Sequence, residues 1–189
     1  MLWIGVAAAG LLAAAAQAQA PVPSVVVGGR YHAASTVLPD LPYDDGDLSL
    51  LVAYQLEEAA SVLQFALDYA WDAGARSNAV DYVLTPQINV LFRRNWLAFG
   101  TGALMSRIEG EGEGTGWTGL YYQFLAGTEL DLGSRASLTA LAAYPFDDFG
   151  ELGEFDTGDL EYTVYLKFRF GGYLSDREKR RQYERLNRR

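Results

Sequence analysis

Leu160 to Gly171 reads LEYTVYLKFRFG. Tyr162, Val164, Leu166, Phe168 and Phe170 share one parity, and Glu161, Thr163, Tyr165, Lys167 and Arg169 share the other. Side chains alternate across an extended chain with period 2, so the stretch is a strand with one apolar wall and one polar wall. At helical spacing the same residues would mix apolar and charged positions all round.

The alternation recurs upstream. Val25 to about Ala34 sets Val25, Val27 and Tyr31 against Arg30 and His32, with Gly28-Gly29 weakening the pattern. Asp47 to Glu57 sets Leu48, Leu50, Val52, Tyr54 and Leu56 against Ser49, Ala53, Gln55 and Glu57. Ser61 to Trp71 sets Leu63, Phe65, Leu67, Tyr69 and Trp71 against Gln64, Ala66, Asp68 and Ala70. Val80 to Arg93 sets Tyr82, Leu84, Ile88, Val90 and Phe92 against Asp81, Thr85, Gln87, Asn89 and Arg93. Pro86 has no N–H to give a ladder, so an irregularity is expected there. Trp96 to Ile108, Trp117 to Leu130 and Arg135 to Phe146 complete the set.

Eight strands result, and the connections between them alternate long and short. The short ones lie at Glu57–Ala60, Arg94–Asn95 and Asp131–Ser134; the long ones at 35–46, 72–79, 109–116 and 147–159. A strand of ~11 residues, rising ~3.3 Å per residue and tilted by ~40°, climbs about 28 Å, enough for an apolar band of ~25 Å. Lipid offers the backbone no hydrogen-bond partner, so a sheet in a bilayer must close on itself. The pattern therefore predicts an all-β, eight-stranded antiparallel up-and-down barrel, apolar outside and polar inside. The competing arrangement is a soluble exported barrel, with the bulky wall inside. The smaller wall of Gly, Ala, Ser, Gln and Asp suits the narrow interior of eight strands better.

Charge and composition sharpen this. The chain of 189 residues carries a net charge of -9, against nucleic-acid binding. It has no cysteine, so a closed ladder or packing must hold it. The four long loops carry three, one, three and six acidic residues and one Arg, Arg76. Tyr69, Trp71, Tyr82, Trp117, Tyr144 and Tyr162 gather near strand ends, as interfacial girdles do. Ahead of the strands, Leu2 to Ala16 is an Ala-rich apolar run followed by Ala16-Gln17-Ala18, an A-x-A cleavage pattern, so residues 1–18 read as a signal peptide. At ~15 residues the run is short for a spanning helix, the alternative reading.

With these features the chain resembles the small eight-stranded outer-membrane barrels, the class of the transmembrane domain of outer membrane protein A. The resemblance covers residues 24–171 as pattern, not as identity. It implies residence in a Gram-negative outer membrane, contact with outer-membrane lipids, and delivery by the barrel-assembly machinery. It also implies that Tyr162, Val164, Leu166, Phe168 and Phe170 form the assembly signal. That signal usually ends the protein; here a basic tail, 172–189, follows. Its Ser175 and Glu178 fit a capping box. Its net +4 over Ser175–Arg189 suits a periplasmic contact or anionic headgroups, or a solvated end.

Candidate chemistry is sparse. The one His, His32, has Ser35 three residues on, and a hydroxyl beside a base is a nucleophile pair. At that spacing the two point to opposite faces, so His32 reads as a polar residue at the barrel rim. Asp40, Asp44, Asp45, Asp47, Glu151, Glu154 and Asp156 match no calcium-loop spacing. The acidic run EGEGEG at 109–114 repels phosphate. No catalytic residue, metal or cofactor is assigned. The inward polar wall holds Gln64, Asp68, Gln87, Asn89, Arg93, Gln123, Glu129, Glu161, Lys167 and Arg169, together with Gln55, Glu57 and Asp81. Both signs of charge in so narrow a barrel predict a hydrogen-bonded, largely plugged lumen. The expected role is a structural or surface-interaction scaffold with acidic outer loops. A lipid-modifying enzyme and a minor ion or small-solute channel are the alternatives.

Overall fold

The computed structural model describes residues 21–33, 41–58, 60–71, 80–111, 115–150 and 156–170. The expected signal peptide, the basic tail and Ser35 lie outside these residues. Ten strand segments follow one another: β1 Val22–Tyr31, β2 Leu48–Glu58, β3 Ser61–Trp71, β4 Val80–Arg94, β5 Leu97–Leu104, β6 Arg107–Gly110, β7 Gly116–Trp117, β8 Tyr121–Asp131, β9 Ala136–Phe146 and β10 Glu161–Arg169. All pairings are antiparallel: the ladders run β3-β2-β1-β10-β9-β8-β5-β4-β6-β7, and the β3–β4 ladder completes the ring.

The ten segments make eight walls. β5 and β6 pair with β4 in a single register, Gln87↔Leu104 continuing to Leu84↔Arg107. The gap between them, at Met105 and Ser106, faces Pro86. The Met105 N–H reaches the Pro86 carbonyl at a long 3.4 Å, and Pro86 has no N–H to return. The expected irregularity is thus a break in the neighbouring strand, while β4 runs through its proline unbroken. β7 pairs with β6 and leads into β8.

Short connections collect at one rim. Glu58↔Ser61 and Arg94↔Leu97 are the last pairs of their hairpins, each leaving a two-residue turn. Asn95 sits at φ 58°, a left-handed conformation that asparagine tolerates better than most residues. Val22 pairs with Glu57 and Ser24 with Arg169, so both ends of the barrel chain reach this same rim.

The two walls separate as the alternation predicts. Leu50, Val52, Tyr54, Phe65, Leu67, Ile88, Phe92, Phe99, Phe124, Val164 and Phe168 stand exposed on the outside. Among the described strand residues, charge outside is confined to the ends and the long-loop rim: Glu58, Asp81, Arg94 and the mutual pair Arg107–Glu109. A surface this apolar is stable in hydrocarbon and not in water.

Inside, bulky groups are accommodated by glycine opposite them. A Cβ at Gly28 would run into Tyr165, and one at Gly102 into the Asn89 amide. Large and small residues therefore alternate around the narrow interior. The inward wall is also less polar than its composition suggests. Val26, Leu51, Val62, Leu91, Leu125, Leu141 and Tyr165 form a buried cluster there.

Two placements differ from the sequence pattern. Asp81 points to solvent because the β4–β6 register shifts between Val80 and Tyr82. Tyr144 is buried, not part of an exposed girdle. Its neighbour Phe146 is fully covered by Phe149, Tyr122 and Phe124, with ring centroids at 5.1, 5.9 and 5.0 Å.

Val52 lies mid-way along β2 on the outer wall. Val52→Arg places a charge at mid-belt and is expected to cost about 2–4 kcal/mol. Denaturant unfolding of the protein refolded into lipid vesicles reads this difference.

Candidate functional site

The interior is the candidate site, because the parity of every strand delivers its polar side chains there. Of the ten lumen residues named from sequence, Gln64, Asp68, Gln87, Asn89, Gln123, Glu161, Lys167 and Arg169 are buried. The side chains of Arg93 and Glu129 are 13% and 8% exposed. They gather into two networks.

The first centres on Arg30. Its guanidinium bonds the Glu161 carboxylate, donates to Asp68 Oδ2 at 3.3 Å and to Gln123 Oε1 at 2.9 Å. An amide chain then crosses the barrel. Gln123 Nε2 donates to Gln87 Oε1 at 2.9 Å and to Asn89 Oδ1 at 2.8 Å. Asn89 Nδ2 donates to Gln64 Oε1 at 2.8 Å, and Gln87 Nε2 to Asp68 Oδ2 at 2.6 Å. Gly102 leaves the space that lets Asn89 and Gln123 meet.

The same network reaches His32, whose Nδ1 lies 3.0 Å from Glu161 Oε1 and whose Nε2 lies 3.0 Å from Ser49 Oγ. All three residues are buried. An ionised carboxylate only accepts, so Nδ1 carries a proton, and in the neutral ring Nε2 accepts from the Ser49 hydroxyl. The ring of Tyr43, from the first long loop, stacks on the His32 ring with centroids 3.7 Å apart and planes 10° apart. Tyr43 packs with Ala70, Val83 and Ile108, and Leu41 and Val80 join them, so Leu41 and Tyr43 bring apolar groups into the barrel mouth. Burial holds the Tyr43 phenol well above its ordinary pKa, so it remains uncharged.

The second network lies toward the short-turn rim. Lys167 Nζ donates to both Glu129 oxygens at 2.7 and 2.8 Å and lies 3.1 Å from Glu57. Arg93 bridges Glu57 and Glu129 at 2.8 and 2.7 Å. Arg169 bridges the same two carboxylates at 3.2 and 2.7 Å and adds Asp131 at 3.2 Å. Three cations thus face three carboxylates, with Ser24 and Ser137 donating to Glu57 and Glu129.

Sequence reasoning missed two members. The alternation places Arg30 only on the polar wall; the available signal is that an inward cation in so narrow a barrel must find carboxylates. Ser49 was unremarkable because its partner is 17 residues away, across the β1–β2 hairpin. Only the register of that hairpin, Arg30↔Ser49, brings it beside His32. Among the described residues no cluster of three or more acidic or His side chains is arranged to hold a metal ion.

Glu129 accepts from all three cations of the lower network. Glu129→Ala should therefore lower the unfolding free energy by about 3–5 kcal/mol, the cost of leaving buried cations short of a partner. Lys167→Met in the same background should return part of that loss. Denaturant titration of single and double variants checks both.

No protein-family model matches the chain, and no curated protein matches it. Among solved structures it is similar to the Yersinia pestis outer membrane protein Ail in a phospholipid bilayer nanodisc. That likeness is 9% identical, covers 79% of this chain and 99% of that one, and has a TM-score of 0.45. It is also similar to the crystal structure of Ail, the attachment invasion locus protein of Yersinia pestis. There the identity is 11%, the coverage 80% of this chain and 100% of that one, and the TM-score 0.43. The architecture rests on the ladders and walls of this chain itself. A closed eight-stranded barrel with an apolar outer wall, its chain ends and tight turns at one rim and its long connections at the other, is built for the bacterial outer membrane.

Proposed function

We propose that this protein is a non-conducting outer-membrane scaffold that presents its acidic long loops to the outside. The observation that carries this reading is the interior. Two ion-paired networks, a buried apolar cluster and the inserted Tyr43 occupy the lumen. An eight-stranded barrel has room for little more than side chains, and here those side chains bond one another. A stable scaffold needs such a filled core; a channel needs a hydrated path.

The apolar outer wall makes outer-membrane lipid its permanent partner. The last strand, with Tyr162, Val164, Leu166, Phe168 and Phe170 exposed along one side, suits delivery by the barrel-assembly machinery. The acidic long-loop rim suits a basic extracellular partner, and the basic tail suits a contact in the periplasm. In this reading the barrel is a membrane anchor for its outer loops and not an enzyme.

Two measurements check the reading. A closed barrel resists detergent until heated, so unboiled protein from the outer-membrane fraction should migrate differently from boiled protein. In planar bilayers the purified protein should give no reproducible unitary current steps. Steady steps of one size would replace the scaffold with a channel.

A further inference from the structure

The geometry points to a second capacity, beyond the scaffold reading: we propose that Ser49, His32 and Glu161 form a hydrolytic site at the barrel mouth, acting on carboxylic esters with an apolar acyl group. This departs from the expectation that no residue is catalytic. The parts stand in the order that nucleophilic catalysis needs. Ser49 Oγ lies 3.0 Å from His32 Nε2, and His32 Nδ1 lies 3.0 Å from Glu161 Oε1. A hydroxyl is a weak nucleophile until an adjacent base takes its proton, and the base works when a third group fixes its ring and tautomer. Glu161 is the positioning residue, itself held by Arg30 through its other oxygen.

Ser49, His32 and Glu161 are all buried in the structure. Ser49 and Glu161 stand on strands β2 and β10, and one face of the imidazole is covered by the Tyr43 ring. Tyr43 belongs to the connection between β1 and β2, where His32 N–H donates to the Asp47 carbonyl at 2.8 Å and Gly46 N–H to the His32 carbonyl at 3.1 Å. Displacing that ring uncovers the imidazole face and leaves a space lined by Ala70, Val83 and Ile108, which pack against Tyr43. An apolar wall next to a Ser–His pair selects an acyl chain over a charged group.

The reaction balances with water as the second substrate. Ser49 Oγ bonds to the ester carbonyl carbon as its proton passes to His32 Nε2. The carbon–alkoxide bond breaks, and the leaving oxygen takes that proton to depart as the alcohol. Water then attacks the acyl-serine and gives a proton to His32. The acid departs and that proton returns to Ser49.

The test uses a long-chain alkyl fluorophosphonate on the full chain in outer-membrane vesicles, with the adduct located by peptide mass spectrometry. Wild-type protein should carry the adduct on Ser49. His32→Gln should slow labelling at least about 100-fold, as loss of a positioned general base does, with its heat-dependent gel shift unchanged. Tyr43→Ala should speed labelling about threefold to tenfold, the worth of one ring stack. Labelling seen only in Tyr43→Ala also supports the site, with the loop closed at rest. No Ser49 adduct in either wild type or Tyr43→Ala, with the gel shift intact in both, would overturn the proposal. So would labelling of Ser49 at the wild-type rate in His32→Gln.

Discussion

Hydrocarbon offers no partner to a backbone N–H or C=O, and this one constraint shapes everything else in the chain. Each unpaired group would cost several kcal/mol, so a sheet in lipid cannot keep an edge. The β3–β4 ladder closes the ring here by joining β3, at one end of the sheet order, to β4. Even Pro86, which cannot donate, is placed where one neighbouring strand interrupts itself at Met105 and Ser106. Closure then fixes the rest. A ring of eight tilted walls has one inside and one outside, and a strand's period of 2 assigns every residue to one of them.

Closure also creates the interior problem. A small barrel leaves room for side chains and little water, so buried charge must be matched within the barrel. Here matching is done in two places. Near the short-turn rim, Arg93, Lys167 and Arg169 share Glu57 and Glu129 so closely that no pair can be separated from the others. Nearer the mouth, Arg30 holds Asp68 and Glu161 while amides complete the crossing. The strands that contribute these groups are distant in sequence, so the networks bind the ring across its diameter as the ladders bind it around its circumference. The His32–Ser49–Glu161 arrangement grows from the upper network: the carboxylate that neutralises Arg30 also orients the imidazole.

Much of this was legible before any coordinates. The alternation at Leu48–Leu56 and Tyr162–Phe170 is decisive because a one-residue slip would expose every polar group to lipid. The long–short rhythm of the connections then gave the meander and its orientation. What escaped was whatever depends on two strands at once. Ser49 carries no local signal, and its meeting with His32 comes only from hairpin register. Asp81 has the parity of the inward wall, but a local register shift turns it out. Tyr144 reads as a girdle aromatic by position, yet Phe146 and the turn beyond it fold over that part of the wall. The apolar share of the interior, Leu51, Leu91 and Leu141 among others, was masked because small and polar residues dominate the same parity.

The central claim is the assignment of the two walls, bulky apolar side to lipid and polar side to a sealed interior. The absence of cysteine in the native chain makes a direct measurement simple. Single cysteines at Leu50, Leu51, Val52, Ala53 and Tyr54 would carry a spin label in protein refolded into lipid vesicles. Relaxation by oxygen, which concentrates in hydrocarbon, reports contact with acyl chains. High relaxation at positions 50, 52 and 54, with low values at 51 and 53, is the expected result. Low relaxation at positions 50, 52 and 54, or no alternation at all, would contradict the inside-out barrel and with it the networks placed in its lumen.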